Sequence, residues 1–175
     1  MATVYDRRLI ERVHGIWQQL STDGLPKPSQ LKPEDFGTDW WSCFLIDVAQ
    51  EPQRFSYVGA SLQNPALPAA IAELREFARG SLLELIARHV PRATAKKAPL
   101  GFGGSVLLND GEFLYRAVLL PLSENGERVE VLLGAAAFRE LAQVEPAPSS
   151  DIAWCNREIA ERGLTSLRPR SGTSN

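Results

Sequence analysis

Cysteine is scarce in this chain, with Cys43 and Cys155 as its only thiols in 175 residues. Two cysteines are too few for a disulfide scaffold or a cysteine metal cage, and reduced thiols are typical of the cytosol. Histidine is equally scarce, since His14 and His89 are the only two. Neither a Gly-x-Ser-x-Gly elbow nor a His-Glu-x-x-His pattern is present, so the common hydrolase and metalloprotease templates are excluded. We predict no catalytic residues and no metal site.

Long apolar runs and an excess of one charge are also missing. No segment approaches the roughly 18 apolar residues of a membrane helix, and the charged first twenty residues lack the core of a signal peptide. A net charge of -2 and a pI near 5.8 give no positive field for a polyanion. The sequence therefore predicts a cytosolic protein that binds neither membranes nor nucleic acid. A local basic cluster is interpreted as a solvated loop around Pro91 and Pro99; it comprises Arg88, His89, Arg92, Lys96 and Lys97.

Apolar residues at helical spacing are present between residues 4 and 20. They place a wide apolar stripe on one side of a helix that Thr3 could cap. Gly15 costs such a helix about 1 kcal/mol relative to alanine, so we expect the helix to need a packing partner. The stripe consists of Val4, Leu9, Ile10, Val13, Ile16, Trp17 and Leu20.

Five strands and a helical crossover follow a proline-rich linker in which Pro33 opens one helical turn. "WSCFLIDV" (41–48) and "RFSYVGASL" (54–62) are predicted as a hairpin, and residues 67–86 as two or three short helices that end near Pro91. The last three strands are "GFGGSVLLND" (101–110), "GEFLYRAVLLPL" (111–122) and "RVEVLLGAAAF" (128–138). Asp110-Gly111 and Asn125-Gly126 are typical of the tight turns that join antiparallel strands.

The chain is expected to divide into three segments. Residues 1–22 form the amphipathic helix, residues 23–142 the sheet domain, and residues 143–175 a C-terminal helix with a disordered tail. Prolines at 146 and 148 mark the second boundary. Ser150 could cap the C-terminal helix and Gly163 could end it.

The last strand is apolar on both faces, which sets a condition on the fold. Val129, Val131 and Leu133 alternate with Leu132, Ala136 and Phe138. Such a strand must be covered twice, once by the crossover helices and once by another element. The helix at 4–20, of this chain or of a second copy, is the leading candidate.

This order of two strands, helices and three strands resembles that of PAS domains, and especially of small, single-domain bacterial PAS-like proteins. The segments that carry the resemblance are "LYRAVLLPLSENGERVEVLLGA", "LPKPSQLKPEDF", "FLIDV" and "FSYVGASL". The resemblance implies an α+β fold: a PAS-like five-stranded antiparallel sheet with a helical crossover between strands 2 and 3, an N-terminal amphipathic helix and a short C-terminal helix. It also implies a sensory or regulatory interaction module without enzymatic activity, which dimerises through its first helix and binds a small molecule between sheet and helices.

The candidate ligand residues lie on the strands and the crossover. The small residues Gly134 to Ala137 either allow close packing, which we favour, or leave a cavity. Arg116 would need an acid such as Asp47, or a ligand carboxylate, if its side chain pointed inward. The candidate set is Phe55, Tyr57, Leu82, Ile86, His89, Arg116, Val118 and Leu133.

A second set of candidates forms a surface for a protein partner or a second copy of the chain. Trp40 and Trp41 could extend this surface. Two alternatives stay open: a haem sensor with His89 as the iron ligand, and a small enzyme using Asp47 and Glu51 for proton transfer. The cofactor is otherwise unknown. The predicted surface consists of Leu9, Val13, Ile16, Trp17 and Leu20.

Overall fold

The computed structural model of the protein describes residues 8–63, 81–108 and 111–141. All of these belong to one compact unit, Met1–Leu141. The predicted C-terminal helix and tail lie outside the described residues, as do Thr3, Val4 and the crossover helices predicted for residues 67–80. The predicted segment boundaries at residues 22 and 142 stay predictions.

The five strands form one antiparallel sheet, as predicted. Its spatial order is β2-β1-β5-β4-β3, so the last strand in sequence lies at the centre and β2 and β3 lie at the edges. The first strand begins two residues later than predicted, because Gly37–Ser42 form a 3-10 helix that includes both neighbouring tryptophans. The strands are β1 (Cys43–Asp47), β2 (Arg54–Val58), β3 (Leu100–Leu108), β4 (Gly111–Leu122) and β5 (Val131–Glu140).

Four described α-helices accompany the sheet. The predicted amphipathic helix is confirmed over the described part of its range, and Pro33 begins a helical turn as expected. Short 3-10 turns also occur at Pro28–Gln30 and Ala60–Leu62. The helices are α1 (Leu9–Leu20), α2 (Pro33–Phe36), α3 (Leu82–Ala87) and α4 (Val90–Lys96).

Pro91 is the second residue of helix α4, at the place where the sequence analysis predicted that the crossover helices end. It occupies the first turn of α4, where proline is tolerated because the missing N–H would have had no helical partner. Two members of the basic cluster, Arg92 and Lys96, lie in this helix, so the predicted solvated loop is wrong. The preceding helix α3 starts at a true cap, since the Ser81 hydroxyl accepts a hydrogen bond of 3.2 Å from the Glu84 N–H.

Each face of the sheet carries its own apolar cluster. The face toward α3 and α4, called here the crossover face, buries Phe44, Ile46, Phe55, Leu62, Leu83, Ile86, Val90, Ala93, Leu100, Ala117, Leu119, Val129, Leu132 and Ala136. The opposite face, called the α1 face, buries Leu9, Val13, Trp17, Phe36, Cys43, Val118, Leu120, Leu122, Leu133, Ala135 and Ala137. The predicted double cover of β5 is confirmed, and the helix that covers its second face belongs to the same chain.

One residue of the predicted alternation is misplaced. Val131 and Leu133 lie on the α1 face, as expected, but Val129 lies on the crossover face. The reason is that β5 begins only at Val131. Val129 therefore precedes the regular strand and does not follow its two-residue period.

The proline-rich linker between α1 and α2 is attached to the β4–β5 hairpin. Pro26 is buried, and its carbonyl accepts a hydrogen bond of 2.9 Å from the Ser123 N–H. The Glu124 carboxylate accepts hydrogen bonds from the backbone N–H and the hydroxyl of Ser29. These contacts determine where the chain leaves α1, and they keep that helix beside the sheet.

Candidate functional site

Helix α1 packs on the chain's own sheet through most of its apolar stripe. Leu9, Val13 and Trp17 are buried, and the indole Nε1 of Trp17 donates a hydrogen bond of 3.0 Å to the carbonyl oxygen of Pro121. These three residues are therefore not a free interface, contrary to the prediction. Ile16 and Leu20, the other two predicted interface residues, are only half-buried.

The strands beneath α1 carry small side chains, which allow the helix to approach closely. Ala135 and Ala137 of β5 lie in the same cluster as Val13 and Trp17. A second attachment joins α1 to the segment that follows α2: the Arg12 guanidinium binds both carboxylate oxygens of Asp39 at 2.6 Å. This two-point geometry is typical of well-defined arginine–carboxylate pairs.

A shallow groove of about 620 Å³ lies on the outer side of α1, between this helix and the α2 region. It is open to solvent. Ile16 is the apolar side chain that α1 contributes to it, and Phe36 is contributed by α2. The remaining lining residues are Arg12, Gly15, Gln19, Glu34, Asp35, Gly37, Thr38 and Asp39.

The two neighbouring tryptophans have different environments. Trp40 stacks on Tyr57 with ring centroids 4.8 Å apart, and its carbonyl accepts a hydrogen bond of 3.1 Å from the Tyr57 hydroxyl. Trp40 is thus part of the packing on the α1 face. Trp41 is 58% exposed and so does not belong to the core.

The predicted ligand residues do not line one pocket. Phe55, Leu82 and Ile86 lie on the crossover face, whereas the other apolar members lie on the α1 face and are Tyr57, Val118 and Leu133. The sheet separates the two groups, so the grouping predicted from the sequence is wrong.

A β-bulge explains why Phe55 and Tyr57 lie on opposite faces although they are two residues apart. Leu45 pairs with Tyr57 and Ile46 with Phe55, so Ser56 is an extra residue in β2. One extra residue inverts the alternation of side chains beyond it. The sequence contains no obvious signal for this irregularity.

The small residues of β5 serve close packing, as favoured above, although a ring rather than a helix fills the space at Gly134. Phe44 is the residue opposite Gly134 in β1, and its ring lies over the glycine. A Cβ added at Gly134 would overlap that ring. Phe44 in turn contacts Phe55, with ring centroids 5.7 Å apart.

His89 lies on the crossover side, in the cap position that precedes α4. Its ring stacks on Phe102 at a centroid distance of 3.9 Å, and Phe102 meets Tyr115 edge to face at 6.5 Å. Burial of the ring, and secondarily the positive charge of Arg92, lower the pKa of His89. The imidazole therefore favours its neutral form, in which one nitrogen can accept a hydrogen bond or a metal.

Phe102 and Tyr115 are missing from the predicted site. They lie in β3 and β4, on the same face as Ala117 and Leu119. Strand alternation from these alanine and leucine positions could have identified Tyr115. Nothing in the sequence indicates that Phe102 contacts a histidine from the crossover.

Arg116 is exposed, and Asp47 is not its partner. Asp47 lies opposite Val131 and Arg116 opposite Ala137, six positions along β5, which corresponds to about 20 Å. The Asp47 carboxylate instead accepts a hydrogen bond of 3.0 Å from the Ala49 N–H and so shapes the β1–β2 turn. Glu51 is exposed in that turn.

The thiol of Cys43 is buried and is a poor nucleophile, because it stays protonated. Burial, and secondarily the carboxylate of Asp39, raise its pKa to about 12.

Within residues 8–63, 81–108 and 111–141, no group of three or more His, Cys, Asp or Glu side chains could hold a metal ion. In the same part of the chain, no helix is long and apolar enough to cross a membrane.

The five-stranded antiparallel sheet, with helices α3 and α4 between β2 and β3, is the arrangement that the sequence resemblance implied. The fold is PAS-like. No known protein family matches the sequence of this PAS-like chain, and no curated protein does.

Solved LOV and PAS domains are among the structures that are similar to this chain. The LOV protein of Rhodobacter sphaeroides is 15% identical, with a TM-score of 0.41 over 90% of this chain and 80% of that one. The PAS domain of BvgS from Bordetella pertussis is 12% identical, with a TM-score of 0.35 over 68% and 83%. An RNA-binding light-oxygen-voltage receptor is 20% identical, with a TM-score of 0.38 over 68% of this chain, which spans 34% of that receptor.

Proposed function

We propose that this PAS-like chain is a dimeric sensory or regulatory interaction module without enzymatic activity. In this proposal the crossover face binds a small molecule and α1 passes the response to a protein partner. The supporting observation is the double burial of β5. Leu132 and Ala136 contact the crossover cluster, whereas Leu133 and Ala135 contact the α1 cluster. A displacement of β5 would change the side-chain packing on both faces of the sheet at once, because packed interiors leave little free volume.

The proposed ligand site keeps only those predicted residues that share the crossover face, and adds one. Phe55, Leu82 and Ile86 supply apolar surface, while His89 and Phe102 supply a stacked pair beside it. Apolar walls with a single polar group are typical of small-molecule sites. This chemistry suits a flat, mostly apolar molecule with one hydrogen-bonding group. Haem with His89 as its ligand is the alternative within this proposal.

Native mass spectrometry and the absorbance spectrum of freshly purified protein test the ligand. We expect a bound small molecule in the wild-type protein. We expect its loss from Ile86→Trp, in which the introduced indole ring occupies the site. Ser56→Trp is the control, because Ser56 is exposed on β2, and it should retain the molecule. A strong Soret band that disappears in His89→Ala would identify haem. A wild-type protein without any bound molecule would contradict the ligand proposal.

The route through β5 can be tested without a ligand. Ile86→Ala opens a cavity on the crossover face, and we expect faster hydrogen–deuterium exchange of the α1 amides on the opposite face. The increase should exceed what the loss of global stability alone produces. Ser56→Ala, at an exposed position of β2, should leave α1 exchange unchanged. If the exchange of the α1 amides in Ile86→Ala increases only as much as the loss of global unfolding free energy predicts, the proposed coupling is wrong.

The partner surface in this proposal is what remains accessible beside α1. Ile16 and Leu20 are half-buried, and Trp41 is exposed. Their apolar side chains are available without unfolding the α1 packing, whereas Leu9, Val13 and Trp17 are not. We therefore restrict the predicted interface to Ile16 and Leu20 and extend it with Trp41.

A further inference from the structure

The two edges of the sheet differ in length, charge and regularity. The edge strand β2 has five residues, contains Arg54 and is interrupted by the bulge at Ser56. The edge strand β3 has nine residues, from Leu100 to Leu108, and pairs with β4 in an unbroken register. It contains no charged residue and no proline. Charges, prolines, bulges and short length are the features that normally prevent an edge strand from pairing with another chain.

We propose that β3 pairs antiparallel with β3 of a second copy, so that two sheets join into one of ten strands. The two-fold axis of such a pair passes through the middle of the strand, at Gly104. This register pairs all nine residues, whereas any shift leaves residues unpaired at both ends. The interface is distinct from α1 and from the crossover face, so the proposal rests on the dimeric state named in the proposed function but on neither its ligand site nor its α1 surface.

The absence of charge favours a second copy as the occupant. In an antiparallel pair of identical strands, each residue lies opposite a residue of the same short segment. A charged residue near the axis would meet its own equivalent, and directly opposed like charges destabilise strand pairs. No such repulsion arises anywhere between Leu100 and Leu108.

The shapes of the opposed residues also match in this register. Leu107 is 74% exposed and, with Trp41, is one of two exposed large apolar residues in the part of the chain that the structure describes. It would lie opposite Gly101 of the second copy, where an added Cβ meets nothing within 4 Å. The leucine side chain can therefore lie over the open space of the glycine. The two-fold axis generates the Leu107–Gly101 contact twice, so each dimer contains two such contacts.

Cysteine trapping tests the proposal and its register in a Cys155→Ser background. Gly104→Cys is sterically allowed, since its nearest neighbour is the Tyr115 ring at 3.8 Å. Directly opposite residues of antiparallel strands have Cα atoms about 4.5–5.5 Å apart, which is within disulfide range. The matched control, Gly101→Cys on the same strand, also has free space. It would lie about 20 Å from its own equivalent in the second copy.

We expect mild oxidation to convert Gly104→Cys into a covalent dimer and to leave Gly101→Cys monomeric on a non-reducing gel. A mixture of Gly101→Cys and Leu107→Cys should give a heterodimer. Equal cross-linking of Gly104→Cys and Gly101→Cys would indicate random collision and overturn the proposal. A monomeric Gly104→Cys would overturn it as well, whether the edge is then covered by another segment or by another protein.

Light scattering gives an independent readout without introduced thiols. The wild-type protein should be a dimer at about 100 μM. Leu107→Lys places two charges in the pair and should lower the mass to that of a monomer, with an unchanged circular dichroism spectrum. Ser56→Lys is the matched control on β2, at the other edge, and should remain dimeric. A monomeric wild type, or equal masses for the two lysine variants, would contradict the proposal.

Discussion

The indole of Trp17 and the carbonyl of Pro121 are joined by a hydrogen bond of 3.0 Å across 104 positions of sequence. The bond is buried, and it connects the last turns of α1 to β4 near the end of that strand. Buried polar atoms are costly without partners, so each of the two groups depends on the other. This contact makes α1 part of the domain rather than an appendage.

Trp17→Phe is therefore expected to destabilise the protein. Phenylalanine keeps most of the apolar surface but leaves the Pro121 carbonyl unpaired, which costs about 1–3 kcal/mol. The measurement is urea unfolding followed by circular dichroism. Trp41→Phe is the matched control, because Trp41 is mostly exposed, and should change the unfolding free energy by less than about 0.5 kcal/mol. Equal effects of the two substitutions would contradict the role given to the hydrogen bond.

Two glycine-to-alanine substitutions are expected to act in opposite directions. Gly134→Ala places a methyl group against the Phe44 ring and should destabilise the protein by about 1–3 kcal/mol through overpacking. Gly15→Ala lies in α1 with open space around it and should stabilise the protein by about 0.5–1 kcal/mol through helix propensity.

The double variant Gly134→Ala with Phe44→Leu isolates the contact at the sheet centre. If the ring causes the clash, the two changes should couple favourably in a double-mutant cycle measured by urea unfolding. Strictly additive losses would show that Gly134 is required for another reason. A destabilising Gly15→Ala would contradict the open environment of that glycine.

The periodicity of β5 was sufficient to predict much of the architecture. Its alternating apolar residues, together with the amphipathic helix, predicted a sheet covered on both faces, and the structure confirms this cover. Asn125-Gly126 likewise predicted the β4–β5 hairpin that the structure contains. These predictions succeeded because buried apolar residues recur at the spacing at which side chains point to one side of a helix or a strand.

The candidate site was less predictable, because it depends on local irregularities. The bulge at Ser56 moves Tyr57 to the opposite face from Phe55, and no residue type in β2 requires it. Pro91 is compatible with the end or the beginning of a helix, and only the tertiary structure decides between them. The pairing of His89 with Phe102 joins the crossover to the edge strand. Long-range contacts of this kind leave no periodic signal in the sequence.

The thiol of Cys43 is expected to resist modification in the folded protein. With a pKa of about 12, only about one thiol in 10⁴ is ionised at pH 8, compared with about a quarter of ordinary exposed thiols. In a Cys155→Ser variant, a thiol-specific reagent should react slowly under native conditions and with one equivalent in denaturant. Rapid, complete reaction of the folded variant would show that Cys43 is accessible.

The pKa of His89 is expected to lie below the ordinary histidine value near 6.5, first because of burial and second because of Arg92. The folded state then binds this proton more weakly than the unfolded state. Stability is accordingly unaffected by His89 above about pH 6.5 and decreases as the pH falls below that value.

Titration of the imidazole signal by NMR measures the pKa of His89 directly. Arg92→Gln removes the second cause and should raise the pKa of His89. Arg88→Gln is the matched control, since the Arg88 guanidinium binds the Glu84 carboxylate at 2.8 Å, and it should leave the pKa of His89 nearly unchanged. A His89 pKa above 6.5 in the wild-type protein would contradict the burial of its ring against Phe102.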